Sequence, residues 1–492
     1  METLSADSAI TAAENDPLRD VKRKNAIKGA FFSEFIDMFD IYLPVIVLPP
    51  VLFYFQPPNL SSSTANILAS LVFITTLLGR PIGALLFGIM ADRIGRRMAS
   101  IYSVSGFGVV TFLIALIPGY ETLGIASYLL LVLLRFIDGI FLGGGYTGAI
   151  PLALEYSKKE QRGFVGGLIL SGFPAAYVAI NLVAMLMFAL IPLDGLYSPY
   201  AQWGWRIPFV IGGLLAGFLA LYYVFNVTES EVWQQGSSKK RAREKQPLST
   251  LVSGQSGRNL WQVLLMMSGF WLTQNLITLF LPTGLLINTL NMRGLQVTSI
   301  LLVTYCVLFF SYIGMGMLGQ KIGRRRFFMI AGPLIATMGS ALLYVLSHGD
   351  GLSFSTVMLL VCLLAVVVTS PWGVIITYIN EHFATGVRAT GFGVGFSLSV
   401  IIPSFYAFYM DWLSVVVPFE LTAVVLLALG GMIGTWGPLW GRKLKRSILP
   451  RQRANGVIIT GSFLVLYYRG MVQKATILSD RNTINASGNG CD

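Results

Sequence analysis

The chain is 492 residues long, 54% apolar and only 12% charged, with a formal net charge of +12. Soluble globular proteins carry roughly 25% charged residues. Half that share over this length excludes a soluble multidomain protein, a disordered chain and a fibrous one, and leaves an all-α integral membrane protein of many spans.

Residues 1–28 form a polar tail of mixed charge (Asp16, Arg19, Asp20, Lys22, Arg23, Lys24) with no cleavable-signal pattern. Twelve stretches then have the length and apolarity of a spanning helix, at about 30–54, 65–90, 98–117, 124–150, 163–190, 206–226, 260–286, 295–319, 327–346, 354–379, 389–411 and 418–439. A basic segment at 227–258 (Lys239, Lys240, Arg241, Arg243, Lys245) separates six spans from six. The expected units are a tail at 1–28, six helices at 29–226, a linker at 227–258, six helices at 259–440 and a basic tail at 441–492. An apolar stretch at 456–468 is too short to span.

With the N-terminus inside, 31 of the 35 lysines and arginines fall on the cytoplasmic side, as the positive-inside rule requires. Both termini are therefore expected in the cytoplasm, and the protein in the cell membrane as a multi-pass monomer. The positive charge then reflects topology, and no nucleic-acid partner is implied. Two histidines (His348, His382) and three cysteines (Cys306, Cys362, Cys491) lack pairing or ligand spacing, so no metal site is expected. No nucleophile–base constellation is visible, which points away from an enzyme and from a cofactor other than a proton gradient.

The chain repeats itself. Gly88-Ile-Met-Ala-Asp92-Arg93-Ile-Gly95-Arg96-Arg97 after the second span returns as Gly316-Met-Leu-Gly-Gln320-Lys321-Ile-Gly323-Arg324-Arg325 after the eighth, 228 residues on. Glu155 and Arg162 return as Glu381 and Arg388, 226 residues on. Parallel repeats about an axis along the membrane normal are a transporter arrangement, with the substrate site near the midplane between them. The glycines permit tight turns, and the arginines suit acids or lipid phosphates.

The Gly-x3-Asp-Arg-x-Gly-Arg-Arg loop resembles the signature of the major facilitator superfamily, over about residues 25–440. Arg80-Pro-Ile-Gly, Arg135-Phe-Ile-Asp-Gly139 with Gly143-Gly144, Glu155-Tyr, Arg162-Gly163, Trp203-Gly-Trp-Arg-Ile-Pro-Phe209 and Glu229-Ser230 resemble its metabolite:proton symporter branch. Asp37-Met-Phe-Asp40 is similar to the paired aspartates of the aromatic-acid symporters. Two features depart from the pattern: Gly145 stands where those symporters commonly carry glutamate, and Trp440-Gly-Arg-Lys replaces an acidic ending. The resemblance implies two six-helix bundles and alternating access. It also implies a cytoplasmic charge network of Asp92 with Arg93, Arg97, Glu155 and Arg162, weaker in the second half where Gln320 replaces the aspartate.

Charges inside the hydrocarbon cost at least several kcal/mol and are functional candidates by default. Leaving aside Arg206 and Glu420 at the starts of their spans, spans one to six hold Glu34, Asp37, Asp40, Arg80, Arg135 and Asp138, whereas spans seven to twelve hold only Asp411. At the helical rise, Asp40, Arg80 and Arg135 all lie roughly 15 Å deep. Glu34, Asp37 and Asp40 fall within a 120° arc, so they are expected to share a cavity-facing side. Four acids against two arginines leave two negative charges in excess. Arginine keeps its proton, so at least one acid is expected to be protonated in some state of a cycle. Asp40 is the first choice and Asp37 the second; a static Asp40–Arg135 pair is the alternative, and Glu34 suits an interfacial role equally. The resemblance implies that sugar-porter and aromatic-acid relatives use a span-one aspartate in this way.

Candidates for the cavity lining are Arg80, Arg135, Phe39, Tyr42, Asn181, Gln274, Asn275, Tyr305, Trp372 and Tyr378. Bidentate capture by Arg80 and Arg135 favours a small carboxylate. The expected function is thus proton-coupled symport of such a metabolite. A sugar or polyol symporter, an uncoupled facilitator or exporter, and a transporter-like sensor stay open.

Overall fold

The computed structural model describes residues 17–440, apart from 58–59, 61, 193–194, 196, 232, 235–248, 350 and 385–386. The basic run at 239–245, the tail at 441–492 and its apolar stretch at 456–468 lie outside the described residues. All regular structure among the described residues is helical.

Helix α1 spans Pro17–Val47 and leads into a short 3-10 helix at Pro49–Tyr54. Then follow α2 (Leu71–Ile94), α3 (Arg96–Ala115), α4 (Ile125–Tyr156), α5 (Lys159–Leu190), α6 (Tyr200–Asn226), α7 (Gly254–Thr289), α8 (Gly294–Ile322), α9 (Arg324–Ser347), α10 (Phe354–His382), α11 (Arg388–Leu413) and α12 (Phe419–Leu439). Among the described residues, these eleven helices from α2 onward are long and apolar enough to cross a membrane. Large apolar side chains such as Leu86, Leu129, Phe218, Phe310 and Leu359 point outward from them, exposed.

Helix α1 starts well before its apolar stretch, because Pro17 opens it with Asp20 in the first turn. Lys22 anchors this polar entry to Glu231 at 3.2 Å. Helix α7 changes pitch within its length, α-helical to Asn275 and π-helical over Leu276–Thr289. Such wider turns inside long helices are uncommon and concentrate at functional positions.

Small residues decide which helices approach most closely. On α2, Gly79 and Gly83 sit one turn apart, and a Cβ at either would run into the α4 backbone at Phe136 and Ile140. Their counterparts Gly139 and Gly143 on α4 face the backbone at Thr76 and Arg80. This paired small-xxx-small contact locks α2 to α4. Helix α3 packs between α4 and α6, α1 lies against α4, α5 and α6, and α12 covers α7 and α9. Between the first six helices and the last six, the long contacts are α2 with α11 and α5 with α8.

Gly95 (φ 113°) and Gly323 (φ 95°) turn the chain between α2 and α3 and between α8 and α9. The left-handed region is open to glycine at no steric cost, so the repeated motif builds the same turn twice. These turns and the α4–α5 and α10–α11 connections lie together at one end, here called the basic end after its arginines.

Candidate functional site

The α2–α4 contact sets Arg80 and Arg135 side by side in the interior, facing α1. Arg80 Nη2 meets Asp37 Oδ2 at 2.9 Å. Arg135 Nη1 meets Asp40 Oδ2 at 3.2 Å and Asp138 Oδ2 at 2.8 Å. Arg135 also donates through Nε to Thr76 Oγ1 at 3.1 Å and through Nη2 to the Asp40 carbonyl at 3.2 Å. Thr111 on α3 donates to Asp40 Oδ1 at 2.7 Å. Arg80 lies over the Tyr146 ring, 4.9 Å from its centre. Every charged member of the cluster, Glu34 included, is at most 3% exposed.

The acids are not equally satisfied. Asp40 accepts from both Thr111 and Arg135, whereas neither carboxyl oxygen of Asp138 has a hydrogen bond, and Asp37 Oδ1 has none. Two carboxylates therefore share one guanidinium at Arg135, and Asp138 is the less well held of them.

Glu34 stands apart. It lines a central cavity of about 20 Å³ between α1, α5, α7, α8, α10 and α11, space for about one water molecule. Six of the ten lining residues are aromatic: Tyr42, Phe173, Trp271, Tyr312, Trp372 and Phe396. Trp271 and Trp372 meet edge to face at 4.6 Å, and Phe396 closes the group at 5.4 Å from Trp271. Two buried polar atoms at this wall lack partners, Gln274 Oε1 and Trp372 Nε1. Tyr177 and Tyr305 stack at 4.0 Å, and Tyr177 lies 5.5 Å from Tyr42. One turn farther along α1 and α7 a wider cleft of about 720 Å³ begins, lined by Val45, Leu279, Thr283 and Asp411 among others.

At the basic end the charges pair crosswise. Glu155 (α4) takes Arg96 (α3) at 3.0 Å and Arg388 (α11) at 2.8 Å, and accepts from Ser230 Oγ at 2.5 Å. Its repeat mate Glu381 (α10) takes Arg324 (α9), with Arg162 (α5) at 4.0 Å. Gly88 lets α2 approach α11 closely, since a Cβ there would lie 2.8 Å from Thr390 Cα.

Several expected positions differ. Asp92 is held chiefly by α11, with Arg96 close enough to act on it electrostatically. The Asp92 carboxylate caps the start of α11, accepting from Thr390 N at 3.1 Å and Thr390 Oγ1 at 2.8 Å. Gln320 carries an amide at the repeat position, so it donates to the Lys159 carbonyl at 3.1 Å and accepts from Arg324 at 2.7 Å. Arg97 bonds the Tyr223 and Val224 carbonyls, and Arg325 bonds those of Pro438 and Leu439. Within the Arg93–Arg97 loop, Arg96 is the arginine that reaches Glu155. Arg93 and Lys321 form no ion pair among the described residues.

Glu34, Asp37 and Asp40 do not share the cavity side. Each step of three residues falls 60° short of a full turn, so Glu34 faces the cavity while Asp37 and Asp40 turn toward α2, α3 and α4. Among the proposed lining residues, Tyr42, Gln274 and Trp372 reach the cavity. Phe39 instead packs by Gly212 and Thr111. Asn181 bonds the Tyr177 carbonyl of its own helix at 2.8 Å, and Asn275 ties α7 to the Pro403 carbonyl at 3.1 Å. Tyr378 accepts from Gln262 at 2.7 Å beside Phe328, about 9 Å along α10 from Trp372 by the helical rise. Arg80 and Arg135 sit behind the wall, held by acids. The sequence reading missed Thr76, Thr111, Tyr146, Phe173, Trp271, Tyr312 and Phe396; the threonines at the depth of the buried charges were the available signal.

Among the described residues no group of His, Cys, Asp and Glu could hold a metal ion. The Major Facilitator Superfamily model matches residues 30–407. A proline/betaine transporter of Salmonella typhimurium is 28% identical over 414 residues, covering 82% of this chain and 80% of that one. An alpha-ketoglutarate permease of Escherichia coli is 27% identical over 408 residues, covering 81% and 87%. The solved structure of the proton:xylose symporter XylE aligns with a TM-score of 0.66 at 18% identity, over 86% of this chain and 95% of that one, and so shares the fold. Taken with the repeated loop motif and the apolar helices, this match makes the chain a multi-pass plasma-membrane transporter belonging to the Major Facilitator Superfamily.

Proposed function

We propose that the protein is a proton-coupled symporter of a small carboxylate-bearing metabolite. In this reading α1 is a twelfth span, the helices form two six-helix bundles, both termini are cytoplasmic, and the bundles rock about the central cavity. The observation that carries it is the sharing of Arg135 by Asp40 and Asp138. Two carboxylates exceed one guanidinium by a charge, and in a low-dielectric interior one shared proton restores the balance. The proton enters while the cleft at Asp411 is open, and it leaves toward the basic end after the gate of Glu155 and Glu381 parts. Release leaves both acids ionised at Arg135, the form in which the empty carrier returns to take up the next proton.

Trp372 Nε1, a buried donor without a partner at the cavity wall, is the group we assign to the cargo's carboxylate. The chemistry of the relatives supports this choice, since proline, betaine and α-ketoglutarate are all carboxylates.

Uptake into proteoliposomes with and without an imposed pH gradient tests the reading, using labelled organic acids, amino acids, betaines and sugars. Accumulation above equilibrium only with the gradient is expected for at least one carboxylate. Uptake that ignores the gradient defeats proton coupling; accumulation of sugars alone defeats the carboxylate assignment.

A further inference from the structure

We infer that the central cavity recognises its cargo through an alkylated ammonium group, held against the Trp271, Trp372, Phe396 and Tyr312 rings with Glu34 as counter-charge. This rests on the transporter reading above and narrows its cargo to a small zwitterion.

The argument begins with what the cavity lacks. Among its lining residues the one charged side chain is Glu34, an acid. The wider cleft beyond it likewise has a single charged lining residue, Asp411, again an acid. Tyr42 and Gln274 lie on the inner cavity while the next turns of the same helices, at Val45 and Leu279, lie on the cleft. The two spaces are thus successive along one path, and neither offers a cation among the described residues. Both nearby arginines are occupied: Arg80 by Asp37 at 2.9 Å, and Arg135 by Asp40 and Asp138. A purely anionic cargo would meet Glu34, and Arg80, the cation whose charge reaches Glu34, is already paired with Asp37 at 2.9 Å.

An ammonium group meets the opposite situation. Aromatic faces attract cations through the ring quadrupole, most strongly for tryptophan, and the attraction grows when water is excluded. Six aromatic lining residues supply that environment, and since this state leaves only about 20 Å³ between them, the rings part to admit the group. Alkyl groups on the nitrogen suit the walls, because they replace hydrogen-bond donors that aromatic carbon cannot satisfy. The unpartnered Gln274 Oε1 faces no competing donor, and it adds a negative dipole at the same wall. Trp372 Nε1 remains for the carboxylate end.

The charges then pair off locally. Asp37 is matched by Arg80, and Glu34 is matched by the cargo's ammonium group. Asp40 with Asp138 is matched by Arg135 and one proton. Loaded with both cargo and proton, the protein has each buried acid compensated, which favours taking up the two together.

The test uses the purified full-length chain and a pair of isosteres. Glycine betaine and 3,3-dimethylbutyrate share a carboxylate and a branched head of nearly equal size, but only the first is positively charged there. Calorimetric titration is expected to show betaine binding at least about tenfold tighter than its isostere. Glu34→Gln should reduce that ratio about tenfold, and Trp372→Leu should lower betaine affinity more than Trp372→Phe. Equal affinity for the pair, a preference for the isostere or no measurable betaine binding overturns the inference with the unaltered protein, whatever the folding of the variants. A parallel measurement of substrate-driven proton entry into vesicles separates this from the parent reading. Betaine binding without proton entry sinks symport and keeps the ammonium site. Proton entry driven by α-ketoglutarate, with no betaine binding, sinks the ammonium site and keeps symport.

Discussion

Arg388 at the start of α11 binds Glu155 at the end of α4 at 2.8 Å, across 233 residues of chain. The mirrored pair, Arg162 with Glu381, stands at 4.0 Å. One sequence repeat thus builds two ion pairs of unequal strength at the same end of the molecule. The Glu155 side chain is 3% exposed and that of Glu381 is 23% exposed.

The two glutamates should therefore respond differently to neutralisation. Glu155→Gln removes the acid that meets Arg96 at 3.0 Å and Arg388 at 2.8 Å, and breaking a buried pair costs about 3–5 kcal/mol. Glu381→Gln removes a half-wet pair with Arg324 and a long one with Arg162, for which a smaller loss is expected. Thermal unfolding of the purified variants checks the order, and equal losses would contradict the asymmetry of the two ion pairs.

Neutralising the shared pair at Arg135 should separate coupling from exchange. Asp40→Asn and Asp138→Asn are each expected to abolish gradient-driven accumulation while counterflow exchange persists. Asp138→Asn should disturb the fold less, because neither of its carboxyl oxygens has a hydrogen bond, whereas Asp40 accepts from Thr111 and Arg135. Paired uptake and counterflow assays decide this. Accumulation that survives both changes would remove these acids from the proton path.

Thr111→Val tests the support of Asp40 without altering a charge. A hydrogen bond to a charged group is worth about 1.5–3 kcal/mol, and the substitution removes a 2.7 Å donor from Asp40 Oδ1. The expected outcome is weaker dependence of uptake on external pH, with cargo affinity little changed. Unaltered pH dependence would show that Thr111 has no influence on the pair.

The two turn glycines share a backbone conformation but not an environment. A Cβ at Gly95 would strike the Glu229 carboxylate, which accepts from the Arg96 and Arg97 amides at 3.0 Å each, whereas nothing lies within 4 Å of a Cβ at Gly323. Gly323→Ala should cost about 1–3 kcal/mol from backbone strain alone. Gly95→Ala should cost more, through the lost cap on α3. Unfolding midpoints of both variants check the ranking.

A methyl at Gly88 would meet Thr390 Cα at 2.8 Å. Overpacking of a close contact typically costs about 1–3 kcal/mol, and here the cost falls only on the state in which α2 and α11 touch. Gly88→Ala should shift the population toward opening at the basic end, read as faster labelling of a cysteine placed there. Unchanged labelling would mean that the contact does not limit closure.

Much was legible before any coordinates, for reasons visible in particular residues. Spans follow from apolar length, so all but α1 pass the same test of length and composition in the structure. The superfamily was legible in the Gly88–Arg97 loop because its glycine turn and its arginines sit at fixed offsets. The charged cluster was legible because Asp40, Arg80 and Arg135 are too costly to leave unpaired in the interior. The lining was read poorly: Phe39, Asn275 and Tyr378 have suitable chemistry, but each faces a neighbouring helix.

The amino-acid order alone therefore determined the membrane class, the internal repeat and the identity of the buried charges, since these depend on length, composition and spacing along one chain. Only the tertiary structure decided how those charges pair, that Asp138 joins Asp40 on Arg135, and that Glu34 faces an aromatic cavity while both arginines lie behind its wall. Such choices depend on how far each helix is rotated about its axis. That rotation is set by glycine contacts between helices distant in sequence, as where Gly79 and Gly83 meet Gly139 and Gly143.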